Sequence, residues 1–94
     1  MIKQMNLAWI SVSDIKKAKE FFVNTLGMDI KSSAEEYGWL EVSGKEDGGM
    51  WLGIGQARPE SAERAGMNAV VTMVVDDIVK AKADLTAKGG TLYW

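Results

Sequence analysis

The sequence contains neither cysteine nor histidine. A Ser-His-Asp triad, a cysteine nucleophile and a zinc site built on nitrogen or sulfur ligands are therefore impossible in this chain. A magnesium or calcium site made only of carboxylates remains possible. No apolar run approaches the ~20 residues of a membrane span, and no signal-peptide core is present. We therefore expect no membrane partner.

Clustered positive charge is also missing. The formal net charge is −2 and the sequence pI is about 5.0, so no basic stripe is available to neutralise phosphates. This argues against nucleic acid as a partner. The absence of cysteine gives no preference for a redox compartment, and we expect a cytoplasmic protein. A chain of 94 residues is the size of one domain, here residues 1–94.

What the chain does contain is an internal repeat. The stretch Leu7–Gly27 matches Val70–Gly90, which begins 63 positions later, so that Asp14 corresponds to Asp77. Each copy has the pattern of a strand, a helix N-cap, an amphipathic helix and a terminating glycine. A self-match of this kind indicates two related structural modules.

Alternating apolar residues and glycine-containing turns extend this pattern to the whole chain. The predicted strands are 5–12, 28–33, 37–43, 50–56, 67–75 and 90–94, and the predicted helices are 15–26 and 77–88. We expect a first β-α-β-β-β module at 1–56, a linker at 57–66 and a partial second module at 67–94. The second-module counterparts of the third and fourth strands would lie beyond Trp94.

Short motifs in both copies resemble those of the vicinal oxygen chelate superfamily, which includes glyoxalase I, extradiol dioxygenases and bleomycin-resistance proteins. The first copy carries Val12-Ser13-Asp14, Ala18-Lys19-Glu20-Phe21-Phe22 and Leu26-Gly27-Met28; the second carries Val75-Asp76-Asp77 and Lys88-Gly89-Gly90. The resemblance implies an α+β fold of paired β-α-β-β-β modules, the second lacking its last two strands. The alternative is a ferredoxin-like α+β sandwich.

The resemblance also implies where a divalent metal would be bound. Enzymes of the superfamily take ligands from the first and last strands of each module. The corresponding positions here are Leu7, Val70 and about Gly53, none of which offers a ligand atom in its side chain. We therefore expect no metal, no cofactor and no catalytic residue, and we expect a function other than that of the metal-dependent enzymes.

Strand alternation separates a helix-facing set of residues from a set on the opposite, concave face. The helix-facing set is Ala8, Ile10, Val12, Leu40, Val42, Met50, Leu52 and Ile54. The predicted ligand-binding residues on the concave face are Trp9, Ser11, Tyr37, Trp39, Glu41, Trp51 and Thr72. Aromatic faces attract a cation by about 0.5–2 kcal/mol each, Glu41 would supply a counter-charge, and strand glycines would leave room.

These residues predict a metal-independent small-molecule binding protein of the bleomycin-resistance type, with a flat or cationic ligand. Two alternatives remain open. The tryptophans could instead fill a core or a subunit contact, in a module that serves only self-association. The chain could also be an enzyme of the same superfamily that uses Glu41 or residues of the missing strands. An unpaired sheet edge at 91–94 predicts a homodimer.

Overall fold

A computed structural model describes residues 2–46, 48–59, 65–66, 69 and 72–90. The fold is α+β, as predicted. Its elements are β1 (Leu7–Val12), α1 (Ile15–Lys19), β2 (Asp29–Ala34), β3 (Trp39–Ser43), β4 (Trp51–Gln56) and α2 (Ile78–Ala87). A π-helical turn at Glu20–Thr25 continues α1, and a 3-10 turn at Glu35–Tyr37 precedes β3.

The four strands form one mixed sheet in the order β1-β4-β3-β2. Strand β1 runs parallel to β4, and the other neighbours are antiparallel. Among the described residues, three strands follow α1 before the next helix, and this makes a complete β-α-β-β-β module. A ferredoxin-like sandwich would place two strands between its helices, so that alternative does not describe this chain.

Helix α1 begins at a side-chain cap. The Asp14 carboxylate accepts hydrogen bonds from the backbone N–H groups of Lys16 and Lys17, at 3.0 and 3.2 Å. These bonds satisfy donors that the first helical turn cannot pair internally. The helical segment stops just before Gly27, whose φ of +74° is readily adopted by glycine. Cap and terminator therefore lie where the sequence predicts them.

A second contact fixes α1 to the sheet. The Gln56 side chain at the end of β4 accepts a hydrogen bond from the Ile15 N–H at 2.8 Å, and its Nε2 donates to the Ser13 carbonyl at 2.7 Å. The amide thus bridges the last residue of β4 and the start of the helix. This bridge sets the position of α1 over the central strands.

The core lies between α1 and the helix-facing side of β3 and β4. Its buried members are Ile15, Leu40, Val42, Leu52 and Ile54, with six partly buried apolar residues packed against them. This set agrees with the alternation of the sequence, with two exceptions. Ala8 is exposed, and Met50 precedes β4 and is 52% exposed, so placing these two residues under the helices is wrong.

The second copy of the repeat forms its helix but not, in the residues described, its strand. Asp77 caps α2 by accepting from the N–H groups of Val79 and Lys80, at 3.0 and 3.1 Å. Residues 72–75 are exposed and form no strand, contrary to the prediction for 67–75. The remaining predicted positions 67, 68, 70 and 71, together with those at 91–94, lie outside the described residues.

Candidate functional site

Two tryptophan rings cover the concave face of β4 because that strand carries glycine there. A Cβ placed on Gly53 would lie 2.6 Å from carbons of the Trp39 ring and 2.9 Å from the Trp9 Cβ. On Gly55 it would lie 3.3 Å from both rings. A side chain at Gly53 would have to displace an indole. The glycines of β4 therefore provide room for tryptophan, where the sequence predicted room for a ligand.

The two rings form a defined pair. Their centroids are 5.9 Å apart and their planes are inclined at 56°, within the range of favourable aromatic contacts. The Trp39 Nε1–H donates a hydrogen bond to the Glu41 carboxylate at 2.7 Å. Glu41 is the next residue of β3 on the same face, so this bond fixes the orientation of the Trp39 ring. A charged acceptor makes the bond stronger than one between neutral groups.

An open pocket of about 210 Å³ lies beside this pair, at the ends of β1, β3 and β4. Its lining residues are Trp9, Ser11, Tyr37, Gly38, Trp39, Gly55, Gln56, Ala57 and Arg58. Four of the predicted ligand-binding residues, Trp9, Ser11, Tyr37 and Trp39, are therefore brought together. Ser11 is 2% exposed at the base, whereas Tyr37 is 70% exposed at the rim.

The other three predicted ligand-binding residues lie elsewhere. Glu41 does not line the pocket and contacts it only through Trp39. Trp51, at the opposite end of β4, lies against a separate open cavity of about 300 Å³ with Met5 and Met50. Thr72 is exposed and lines neither cavity. Contact of any of the seven residues with a ligand stays a prediction.

The sequence-based set omits the last residue of β4 and the two residues that follow it. Gln56, Ala57 and Arg58 line the pocket, although 57–66 reads as a linker. Arg58 Nη2 donates a hydrogen bond to the Tyr37 carbonyl at 2.9 Å, across the pocket rim. The antiparallel pairing of β3 and β4 predicts this proximity, because the start of one strand then meets the end of its neighbour.

In the part of the chain that the structure describes, Asp29, away from the pocket, has a shifted pKa. A hydrogen bond from the Lys45 ammonium lowers the pKa of the Asp29 carboxyl below its usual value, with smaller Coulombic help from Lys45 and Lys31. Asp29 pairs with Ser43, at the end of β3 opposite to Trp39. This charge pair therefore takes no part in the pocket.

Comparison with known proteins agrees with this geometry. The model of the glyoxalase/bleomycin resistance protein/dioxygenase superfamily matches residues 3–92. The chain belongs to this superfamily. No curated protein is similar enough in sequence to be matched to it.

Solved structures of the superfamily are similar over most of the chain. TnmS3, described as an antibiotic binding protein from Streptomyces sp. CB03234, is 29% identical with a TM-score of 0.77, over 94% of this chain and 72% of its own. A superfamily member from Sphaerobacter thermophilus DSM 20745 is 27% identical with a TM-score of 0.78, over 96% of this chain and 74% of its own.

The superfamily's metal positions can be tested on this structure. Leu7 pairs with Trp51 at the start of β1 and β4, and its side chain offers no ligand atom. At Gly53 the Trp39 ring occupies the space that a ligating side chain would need. Val70 lies outside the described residues, and among those described no three acidic residues cluster as a metal site would require. The residues present do not fit a superfamily metal centre.

Proposed function

We propose that this chain is a metal-independent binding protein for a small molecule with a flat ring system. The observation that carries the proposal is the tilted Trp9–Trp39 pair beside an open pocket. Indole faces give a ring large contact area at little entropic cost, because each side chain has only two rotatable bonds. Their edges pack beside the glycines of β4, and both side chains also line the pocket.

The size of the pocket supports a limited range of ligands. Pockets for drug-sized ligands measure roughly 300–1,000 Å³, and this pocket measures about 210 Å³. It accommodates a fused bicyclic ring or the flat end of a larger molecule. The description of TnmS3 as an antibiotic binding protein, at 29% identity, supports a binding function over catalysis.

Calorimetry with a panel of flat bicyclic compounds of each charge type tests this proposal. We expect saturable binding, unchanged ligand by mass spectrometry, and no dependence on added metal. Trp9→Leu and Trp39→Leu each weaken binding by about 1 kcal/mol or more, because each removes an aromatic contact. Trp51→Leu is the matched control, since Trp51 lies outside the pocket. No binding across the panel, or equal loss in all three variants, would contradict the proposal.

We propose that the chain consists of a complete module at 1–56 and a partial second module at 67–94. We also propose that it forms a homodimer. Large apolar side chains of α2 and of the segment before it support the homodimer. The exposed fractions are 99% at Val74, 66% at Ile78 and 75% at Val79. These three side chains lie within six consecutive residues, and clustered exposed apolar side chains are typical of contact surfaces. Sedimentation equilibrium that gives a monomer at micromolar concentration would contradict the dimer.

A further inference from the structure

We propose that the ligand of this pocket carries an acidic group, such as a carboxylate, that binds Arg58. This inference rests on the proposed function, since it assigns a charge to the ligand of the same pocket. It reverses the charge that the aromatic residues and Glu41 suggest from the sequence. The reason lies in where the structure places the two charged side chains.

Arg58 is held at the pocket by its own hydrogen bond. Its Nη2 donates to the Tyr37 carbonyl at 2.9 Å, and this places the guanidinium at the rim beside the Tyr37 backbone. A guanidinium has five N–H donors in a planar fork that matches a carboxylate. The bond to Tyr37 uses one of these donors and restricts the side chain, so part of the ordering cost is met before a ligand arrives.

Glu41 is committed to a different partner. Its carboxylate accepts the Trp39 indole N–H at 2.7 Å, and it does not line the pocket. The carboxylate keeps its charge, but it orients a wall of the pocket and is not part of the lining that a ligand contacts. Among the described residues that line the pocket, Arg58 is the charged one, so the charge in direct contact with a ligand is positive and suits an anionic group.

The pocket thus has an apolar part and a cationic part. The Trp9–Trp39 pair supplies the apolar part of the lining, and the Arg58 guanidinium supplies the cationic part. The two ion pairs of the described residues join Lys19 to Glu35 and Lys45 to Asp29, so neither involves Arg58. A planar aromatic acid satisfies both parts of the site at once.

Three probes that share a naphthalene ring and differ in charge test which ligand charge the pocket prefers. They are 2-naphthoate, neutral 2-naphthamide and cationic 2-naphthylmethylammonium, each titrated by calorimetry into the full chain. We expect 2-naphthoate to bind about three- to tenfold more tightly than the amide, the range expected for a partly exposed charged hydrogen bond. The ammonium compound binds most weakly. Added salt reduces the preference, because the contact is open to solvent.

Variants assign the preference to Arg58. Arg58→Gln removes it and brings the naphthoate affinity to that of the amide. Lys45→Gln removes the same charge at the Asp29 pair, remote from the pocket, and leaves the preference intact. Equal binding of the three probes, tightest binding of the ammonium compound, or a naphthoate preference that survives Arg58→Gln would overturn the inference while leaving the pocket standing. Failure of all three probes to bind would overturn the proposed function and this inference together.

Discussion

Helices α1 and α2 begin in the same way and meet different surroundings. In each, an aspartate 63 positions from its counterpart accepts two backbone N–H bonds at 3.0–3.2 Å. Ile15, the first residue of α1, is 8% exposed, whereas its counterpart Ile78 in α2 is 66% exposed. The same aspartate cap therefore starts a helix in both copies, but it does not determine whether that helix is buried.

The difference comes from what each helix packs against. Helix α1 lies over β3 and β4, whose Leu40 and Ile54 are fully buried, and Gln56 ties its first turn to the sheet. In the described part of the chain, no residue of α2 is buried. Lys88, the residue that follows α2, contacts the first module: its ammonium donates a hydrogen bond to the Thr25 carbonyl. Burial, and with it most helix stability, depends on tertiary partners.

Substituting the two matched isoleucines gives the largest expected contrast. Ile15→Ala lowers the free energy of unfolding by about 2–5 kcal/mol, because it removes buried methyl groups and leaves a cavity. Ile78→Ala changes it by about 0.5 kcal/mol or less at low protein concentration, since that side chain is exposed. Urea unfolding followed by tryptophan fluorescence measures both. An equal loss in the two variants at every concentration would show that α2 is packed within the monomer.

A dimer alters this contrast in a recognisable way. If α2 packs against a second chain, Ile78→Ala destabilises more strongly as protein concentration rises, because association adds to stability by mass action. The effect of Ile15→Ala stays constant over the same range. The comparison therefore separates burial within one chain from burial between chains.

A second comparison concerns packing on the concave face of β4, where Gly53 lies under the Trp39 ring. Gly53→Ala places a methyl group 2.6 Å from the Trp39 ring, and we expect a loss of about 1–3 kcal/mol from this overpacking. The near-ultraviolet circular dichroism of the tryptophans changes with it. Gly44→Ala is the control, because no atom lies within 4 Å of its added Cβ. An unchanged spectrum for Gly53→Ala would mean that Trp39 does not cover β4.

The sequence predicts those features of the fold that depend on local pattern. Asp14 and Asp77 are identifiable as caps because their carboxylates need only the N–H groups two and three residues ahead. Strand alternation assigns Leu40, Val42, Leu52 and Ile54 to the buried face, and all four are buried. The prediction for Met50 is wrong because this residue lies just before β4, where the sheet no longer covers it.

Local sequence pattern predicts the candidate site less well than it predicts the fold. Alternation places Trp9 and Trp39 on the concave face, but it does not say that their rings fill the space above Gly53 and Gly55. The bond between Trp39 and Glu41 joins residues two apart on one strand, yet their shared face alone does not set the side-chain rotamers. Arg58 is missed because its place in the pocket depends on the pairing of β3 with β4.

The two caps provide the smallest and most direct comparison. Asp14→Ala lowers the global free energy of unfolding by about 1 kcal/mol, because α1 unfolds together with the sheet it covers. Asp77→Ala removes the same two bonds, yet α2 frays locally and the urea midpoint stays unchanged. Amide hydrogen exchange in α2 then becomes about fivefold faster. In the Asn variants the side-chain oxygen still accepts, so both properties remain near those of the original chain. A lower urea midpoint for Asp77→Ala, equal to that of Asp14→Ala, would place α2 in the same cooperative unit as the first module.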